Sequence, residues 1–291
     1  MGAEKYKRLF CFGYGYSAAA LARLLAVDGF TVAGTTRDPE KIKTLSSQGM
    51  AAWGFDGRER IAADALNGAS HVLVSVPPLG GTDPVLAQCR DQLVTLGPDW
   101  IGYLSTTGVY GNRDGGTVDE GSALKPTSDR ARARVQAELS WLRFGDENNI
   151  PVHIFRLAGI YGLGRSMLDQ LRAGTARRID KPGHLFSRIH VDDIAQILAA
   201  SIAHPRAGGV YNVCDDEPAE PRALIEYGAT LLGMAPPPLA AFKDVVFSDM
   251  ARTFWADNKR VDNARLKGEL GVHLQYPTYR EGLCAVLAAE G

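Results

Sequence analysis

The stretch Leu9-Phe10-Cys11-Phe12-Gly13-Tyr14-Gly15-Tyr16-Ser17-Ala18 constrains this chain more than any other. An apolar run enters a pair of glycines, and residues 19–26 then repeat apolar side chains at helical spacing. Strand, glycine turn and helix follow in the order that holds a dinucleotide. Gly13 permits the tight turn, and Gly15 lets the backbone approach a pyrophosphate. Ala18 keeps the helix close to the sheet, while free N–H groups at the helix start attract the phosphates. Tyr16 and Ser17 fall in that first turn, so Gly13, Gly15, Tyr16, Ser17 and Ala18 form the expected phosphate cradle. An ordinary strand-to-helix turn has the same local shape, so the downstream segments must discriminate.

Composition narrows the class. The 291 residues are 45% hydrophobic and 22% charged, as in a globular protein with a large core. A net charge of −1 gives no bulk attraction to nucleic acid or anionic membranes. No apolar run approaches the roughly 20 residues of a membrane span. The opening Met-Gly-Ala-Glu-Lys-Tyr-Lys-Arg carries no signal-peptide core. Cys11, Cys89, Cys214 and Cys284 are scattered, without metal-ligand spacing or a disulfide framework. These features predict a cytoplasmic monomer or homodimer with reduced thiols, a small-molecule substrate, and neither a metal, a nucleic-acid nor a membrane partner.

Strand and helix signals alternate through the first half. Strands are expected at 30–36, 50–55, 71–76, 100–104 and 151–156, and helices from Asp38, at 84–96 and at 128–144. Such alternation predicts an α/β fold, a doubly wound parallel Rossmann sheet of about seven strands. Later signals are a helix at 191–203, a strand at 209–213, a helix at 218–233 and a closing helix at 278–289, with 240–275 mixed. The expected division is a dinucleotide-binding core over 1–160, rejoined by 187–214, and a small C-terminal substrate lobe with the closing helix mainly over 161–291.

The end of the second strand meets the adenosine ribose in such folds, where an acid suits NAD and an arginine suits a 2′-phosphate. Here the residues are Thr35-Thr36-Arg37-Asp38. Thr36 occupies the expected acid slot, and Arg37 offers a planar bidentate donor. NADP is therefore favoured, with NAD left open by Asp38, whose other reading is an N-cap for the next helix. Asp56, at the end of the third strand, is a candidate for the adenine edge. Ser75, Val76 and Pro77 are candidates for the adenosine side, and all four are equally readable as plain strand ends.

The fifth strand runs into Leu104-Ser105-Thr106-Thr107-Gly108-Val109-Tyr110-Gly111. This segment resembles the Ser-Ser/Thr-x-x-Val-Tyr-Gly block of the extended short-chain dehydrogenase/reductases, the NAD-dependent epimerase/dehydratase family. Arg156-Leu157-Ala158-Gly159-Ile160-Tyr161-Gly162, Ser187-Arg188-Ile189-His190-Val191-Asp192-Asp193-Ile194-Ala195 and Tyr211-Asn212-Val213 resemble further blocks in the family's order. The resemblance implies hydride transfer by a nicotinamide, with Thr106 at the catalytic Ser/Thr position and Ser105 beside the cofactor. It also implies a Tyr-x-x-x-Lys pair on the helix beginning near Ser128, followed by a Glu, for which Glu138 fits. Counting back from Glu138 puts Arg134 at the Lys position and Arg130 at the Tyr position. No tyrosine lies between Gly111 and Tyr161. The chain thus resembles atypical members, and so do residues 258–267 and 276–283.

An arginine, which stays protonated far above neutrality, cannot shuttle protons at neutral pH. Arg134 is therefore assigned to the cofactor ribose or a phosphate, and Arg130 to an anionic substrate or carbonyl. Tyr110 and Tyr161 are the nearest replacement phenols, though each also fits a packing role. His190 and Asp192-Asp193 read as a helix cap rather than a metal site. His153 reads as a core or face histidine. Arg165, Arg172, Arg177, Arg178, Lys181 and Arg188 make the lobe-facing segment basic, as a solvated surface or for an anionic substrate. Two functions remain. One is an NADP-dependent oxidoreductase or epimerase on a small polar, anionic or nucleotide-linked substrate, with a non-standard proton donor. The other is a non-catalytic NADP-binding sensor or scaffold.

Overall fold

The computed structural model describes residues 7–290, apart from the side chains of residues 249 and 250. The expectation of an N-terminus without a signal core rests on residues 1–6 and lies outside the described residues. The first half winds as β1 (Arg8–Phe12), α1 (Tyr16–Ala26), β2 (Thr31–Thr36), α2 (Pro39–Ser47), β3 (Ala51–Gly54), β4 (His71–Val74), α3 (Pro84–Leu96) and β5 (Trp100–Thr106). A 3-10 turn (Thr107–Tyr110), β6 (Thr117–Val118), α4 (Asp129–Asn148) and β7 (Val152–Leu157) follow.

Five of these strands and a later one, introduced below, flank β1 in a parallel seven-stranded sheet, ordered β3-β2-β1-β4-β5-β7 and then residues 209–213. Successive side chains of β1 go to opposite faces. Leu9 and Cys11 pack into one apolar layer with Leu21, Ile194, Leu198 and Leu266. Phe10 and Phe12 enter the other with Val85, Trp141 and Phe144. Both faces are covered, which is why the strands read as nearly continuous apolar runs.

Helix starts follow from local chemistry. Asp38 accepts the Glu40 N–H at 3.0 Å ahead of Pro39, so it is the N-cap of α2. Asp83 caps α3 through Val85 and Leu86, and Ser128 caps α4 through Ala131. Several expected boundaries move, two of them for a reason visible in the local contacts. β4 stops at Val74 because the Ser75 hydroxyl turns back to donate to the Gly13 carbonyl at 2.6 Å. α4 continues past Phe144 to Asn148 and ends where Asn149 takes a left-handed φ of 53°.

The second half contains β8 (Gly159–Tyr161), α5 (Met167–Arg172), β9 (Arg178–Asp180), β10 (Arg188–His190), α6 (Val191–Ala203), β11 (Gly209–Val213) and α7 (Pro221–Leu231). β12 (Leu239–Ala241), α8 (Asp249–Ala256), β13 (Arg260–Val261), α9 (Ala264–Leu270) and α10 (Tyr279–Ala289) complete it. α5, α7 and α10 bury Leu168, Leu224, Tyr279, Leu283 and Val286 in a separate small cluster. α10 opens on a capping box between Thr278 and Glu281. Short parallel ladders join distant segments: β8 with β10, β9 with β12, and β6 with β13. Leu266, Leu270 and Val272 return to the core layer beside α6, so the C-terminal third is divided between core and lobe. Among the described residues, no helix is long and apolar enough to cross a membrane. All four cysteines are free, with Cys284 alone exposed.

Candidate active site

The turn after β1 is built by side chains as well as glycines. The Gly13 N–H donates to Thr35 Oγ1 at 2.9 Å, and the Ser75 hydroxyl donates to the Gly13 carbonyl. Gly13 has a φ of +87°, and a Cβ there would lie 2.6 Å from Ser75 Oγ. Glycine is therefore required by both backbone and space. A Cβ on Gly15 would meet nothing within 4 Å, so the backbone faces open space at the helix start. α1 has no side-chain cap and no acid in its first turn, which leaves its N–H groups and positive dipole end directed at the cleft. Those features fit an anionic pyrophosphate.

The turn opens into a cleft of about 820 Å³ at the carboxyl ends of the strands. Its core wall includes Gly15, Tyr16, Ser17, Ala18, Ser75 and Pro77, with Ser105 and Thr106 from β5 and Arg130 and Arg134 from α4. Thr106 Oγ1 accepts the Gly108 N–H at 3.1 Å. One Arg134 nitrogen donates to the Tyr103 hydroxyl at 2.8 Å and to the Leu104 carbonyl at 2.9 Å. This fixes the guanidinium at the end of β5. Arg130 is exposed at the cleft mouth. Tyr16 crosses the cleft, donating from its hydroxyl to the Leu163 carbonyl at 2.9 Å, and Arg165 lies over its ring.

Behind the core wall lies a buried polar network. Ser105 donates to Glu138 at 2.5 Å, and Glu138 receives Arg156 at 2.8 Å. Arg156 also donates to the Tyr110 hydroxyl at 2.9 Å, which donates to Asn212 at 2.6 Å. Tyr110 is fully buried, and burial pushes its phenol up to about 12. Both hydrogen-bonding roles of this candidate phenol's oxygen are taken inside the protein, and Tyr110 is not among the cleft residues. Tyr161 is likewise turned inward, against His190 and the space beside Gly282, and burial raises its phenol further.

Other expected residues take quieter positions. Thr36 Oγ1 accepts the Asp38 N–H, and Arg37 is exposed at the end of β2. Val76 is half-buried, close to the backbone of Gly13. Asp56 is exposed, accepts the Arg58 N–H at 2.9 Å and is not among the cleft residues. His190 caps α6 by accepting the Asp192 N–H, and Asp193 clamps the Gln275 and Tyr276 N–H groups. His153 is a core histidine between Ser201 and the Arg206 N–H, and burial holds it down near 4.

The lobe wall was not singled out by residue type. Phe186, Phe254 and Trp255 line it, with Trp255 stacked on His184 at 5.2 Å and edge-on to Phe186. Asp257 and Lys259 also face the cleft. Thr127 donates to Asp257 at 2.9 Å, and Lys259 Nζ lies 3.4 Å from the same carboxylate. Lys41, one turn into α2, donates to the Tyr14 carbonyl at 2.6 Å and so reaches the glycine turn. No spacing signal marked Lys41, because Arg37 lies before the extended N-cap of α2.

Residues 78–214 match the model of the NAD dependent epimerase/dehydratase family. A solved structure from Silicibacter pomeroyi DSS, a functionally unknown conserved protein, is 48% identical over 97% of this chain and 99% of that one, with a TM-score of 0.90. The chain belongs to the NAD-dependent epimerase/dehydratase family. Two more distant structures share its fold. dTDP-glucose 4,6-dehydratase from Bacillus anthracis str. Ames, solved with NAD, is 14% identical over 97% and 95% of the two chains, with a TM-score of 0.78. UDP-glucuronic acid 4-epimerase from Bacillus cereus, also solved with NAD, is 16% identical over 95% and 96%, with a TM-score of 0.74. No curated protein matches the chain.

Proposed function

We propose that this family member is an NADP-dependent oxidoreductase or epimerase-like enzyme acting on a small, polar, anionic substrate. The observation that carries the reading is the uncapped N-terminus of α1, which opens onto the same cleft as Thr106, Arg130 and Arg134. Gly13, Gly15, Ser17 and Ala18 hold the pyrophosphate, with Tyr16 across it. The distant fold relatives carry NAD. Thr36, exposed Arg37 and nearby Lys41 favour a 2′-phosphate here instead.

A nicotinamide bound in the cleft supplies or accepts hydride. The chain's own groups orient the substrate. Thr106 accepts from a backbone N–H, so its hydroxyl hydrogen is left to donate to a substrate oxygen. Arg134 keeps donors for the ribose or a phosphate, and Arg130 and Arg188 add positive charge for an anion. We assign residues 1–160, rejoined by 187–214, to cofactor binding and most of the remainder to substrate. The inward-turned phenol of Tyr110 favours a second reading, a non-catalytic NADP-binding sensor or scaffold.

NADPH fluorescence titration tests the cofactor claim. NADPH should bind about tenfold or more tightly than NADH, a difference of about 1.4 kcal/mol. Arg37→Ala should remove that preference while leaving NADH unchanged. Tighter NADH binding by the wild type contradicts it. Tight NADPH binding without turnover on a carbonyl panel, with Thr106→Ala changing nothing, selects the sensor reading.

A further inference from the structure

Tyr110 and Tyr161 are turned inward, the Tyr16 hydroxyl donates to the Leu163 carbonyl, and guanidinium groups cannot release a proton near neutral pH, which leaves the amine of Lys259 among the described cleft residues. We propose that Lys259, held by Asp257 across the cleft from α4, transfers the proton in this site. The inference deepens the hydride-transfer reading and rests on it.

The geometry joins both walls. Asp257 and Lys259 come from the lobe segment between α8 and β13, and each side chain is 11% exposed. Asp257 accepts from Thr127, whose neighbour Ser128 caps the helix carrying Arg130 and Arg134. All of these residues line the one cleft. The surroundings favour a mobile proton. Burial pushes the Lys259 ammonium below its ordinary value, Asp257 opposes that shift, and Arg113 adds to it. His184 also faces this pair and is itself driven down to about 4, by burial, Lys181 and Lys259, so it is neutral. Asp257 is thus the sole carboxylate among the charged and titratable groups acting on Lys259 there, and it keeps the amine protonated and aimed.

In the reducing direction, a substrate carbonyl carbon accepts hydride from a reduced nicotinamide dinucleotide. The carbonyl π pair moves onto oxygen and takes a proton from Lys259 Nζ. One N–H bond breaks, one O–H bond forms, and the neutral amine regains its proton from water.

Competitive acetylation of the intact protein with acetic anhydride across pH, read by peptide mass spectrometry, gives the Lys259 midpoint, with exposed Lys243 as internal reference. Lys259 should titrate below Lys243, and lower still in Asp257→Asn. A midpoint equal to or above that of Lys243 overturns the assignment. Steady-state reduction of α-keto acids and sugar phosphates with NADPH supplies the second arm. Lys259→Met should lower kcat about 100-fold or more with NADPH binding unchanged, within the usual range for a proton donor. Lys259→Arg keeps the charge and should remain equally slow. The wild-type kcat should fall as pH rises through the Lys259 midpoint, and Asp257→Asn should move that limb to lower pH. Full activity in Lys259→Met or Lys259→Arg overturns the proposal and spares the hydride-transfer reading. NADPH binding with no turnover on the panel overturns both, and absence of NADPH binding in the wild type overturns the cofactor reading at its root.

Discussion

The two walls of the cleft are held by different physics. The core wall is braced from behind by charge and hydrogen bonds, from Ser105 through Glu138 and Arg156 to Tyr110 and Asn212. Every polar atom named in that chain has its partner inside the protein, so the ends of β5 and β7 are fixed before any ligand arrives. The lobe wall is held more locally, by Lys181 donating to the Trp255 carbonyl at 2.7 Å, by Asn258 joining Leu185 and Gly183, and by ring packing among His184, Phe186, Phe242 and Trp255, while Phe254 remains 59% exposed. A wall fixed in advance suits a cofactor of constant shape. A wall of partly exposed rings and one buried amine–carboxylate pair suits the portion of the site that defines the substrate.

The largest expected effect breaks the brace. Glu138→Ala leaves the Arg156 guanidinium, 6% exposed, without its carboxylate. Loss of one partner of a buried pair costs about 3–5 kcal/mol. Chemical denaturation checks this, and a loss below about 1 kcal/mol, the level of an exposed pair, contradicts a rigid core wall.

The seam between the walls gives a pH-dependent test. Asp215 follows β11, is 2% exposed, and neither carboxylate oxygen has a hydrogen-bond partner among the described residues. Burial raises its carboxyl to about 8 although Arg188 opposes the shift. The folded protein therefore holds this proton more tightly than the unfolded chain does. The associated stability is fully present below the ordinary carboxylate value of about 4 and is lost as pH rises towards about 8. Asp215→Asn should be more stable than wild type by about 1–3 kcal/mol above pH 8, as expected for a buried unsatisfied group. The advantage should vanish near pH 4. Melting curves at both pH values decide, and an advantage that grows on acidification contradicts the assignment.

The smallest effect belongs to the lobe wall. Phe254→Ala should change stability by no more than about 0.5 kcal/mol, as for most surface substitutions. It should weaken substrate affinity without altering NADPH binding. A large loss of stability would show that the lobe wall is as rigid as the core wall.

The fold was largely legible because β1, β4, β5 and β7 bury both faces and their helices carry strong caps at Asp38, Asp83 and Ser128. Long-range ladders were not legible. β13 pairs with β6 through Arg260 and Val261, a segment too short for any periodicity and distant in sequence from its partner. The site divided in the same way. The glycine turn could be read locally, since each residue acts through its own backbone. Tyr110 could not, because the fate of its hydroxyl depends on Arg156 and Asn212. Lys259 stood only as one residue of the family-like stretch 258–267 until folding set it beside Asp257 under the aromatic wall.

The central claim is that the first turn of α1 holds a dinucleotide and that Arg37 selects its phosphorylated form. A crystal structure of the protein with NADP tests this most directly. The account predicts the pyrophosphate against the N–H groups that follow Gly15, with the 2′-phosphate within hydrogen-bond reach of the Arg37 guanidinium. A dinucleotide bound elsewhere, or a 2′-phosphate directed into solvent away from Arg37, would contradict it.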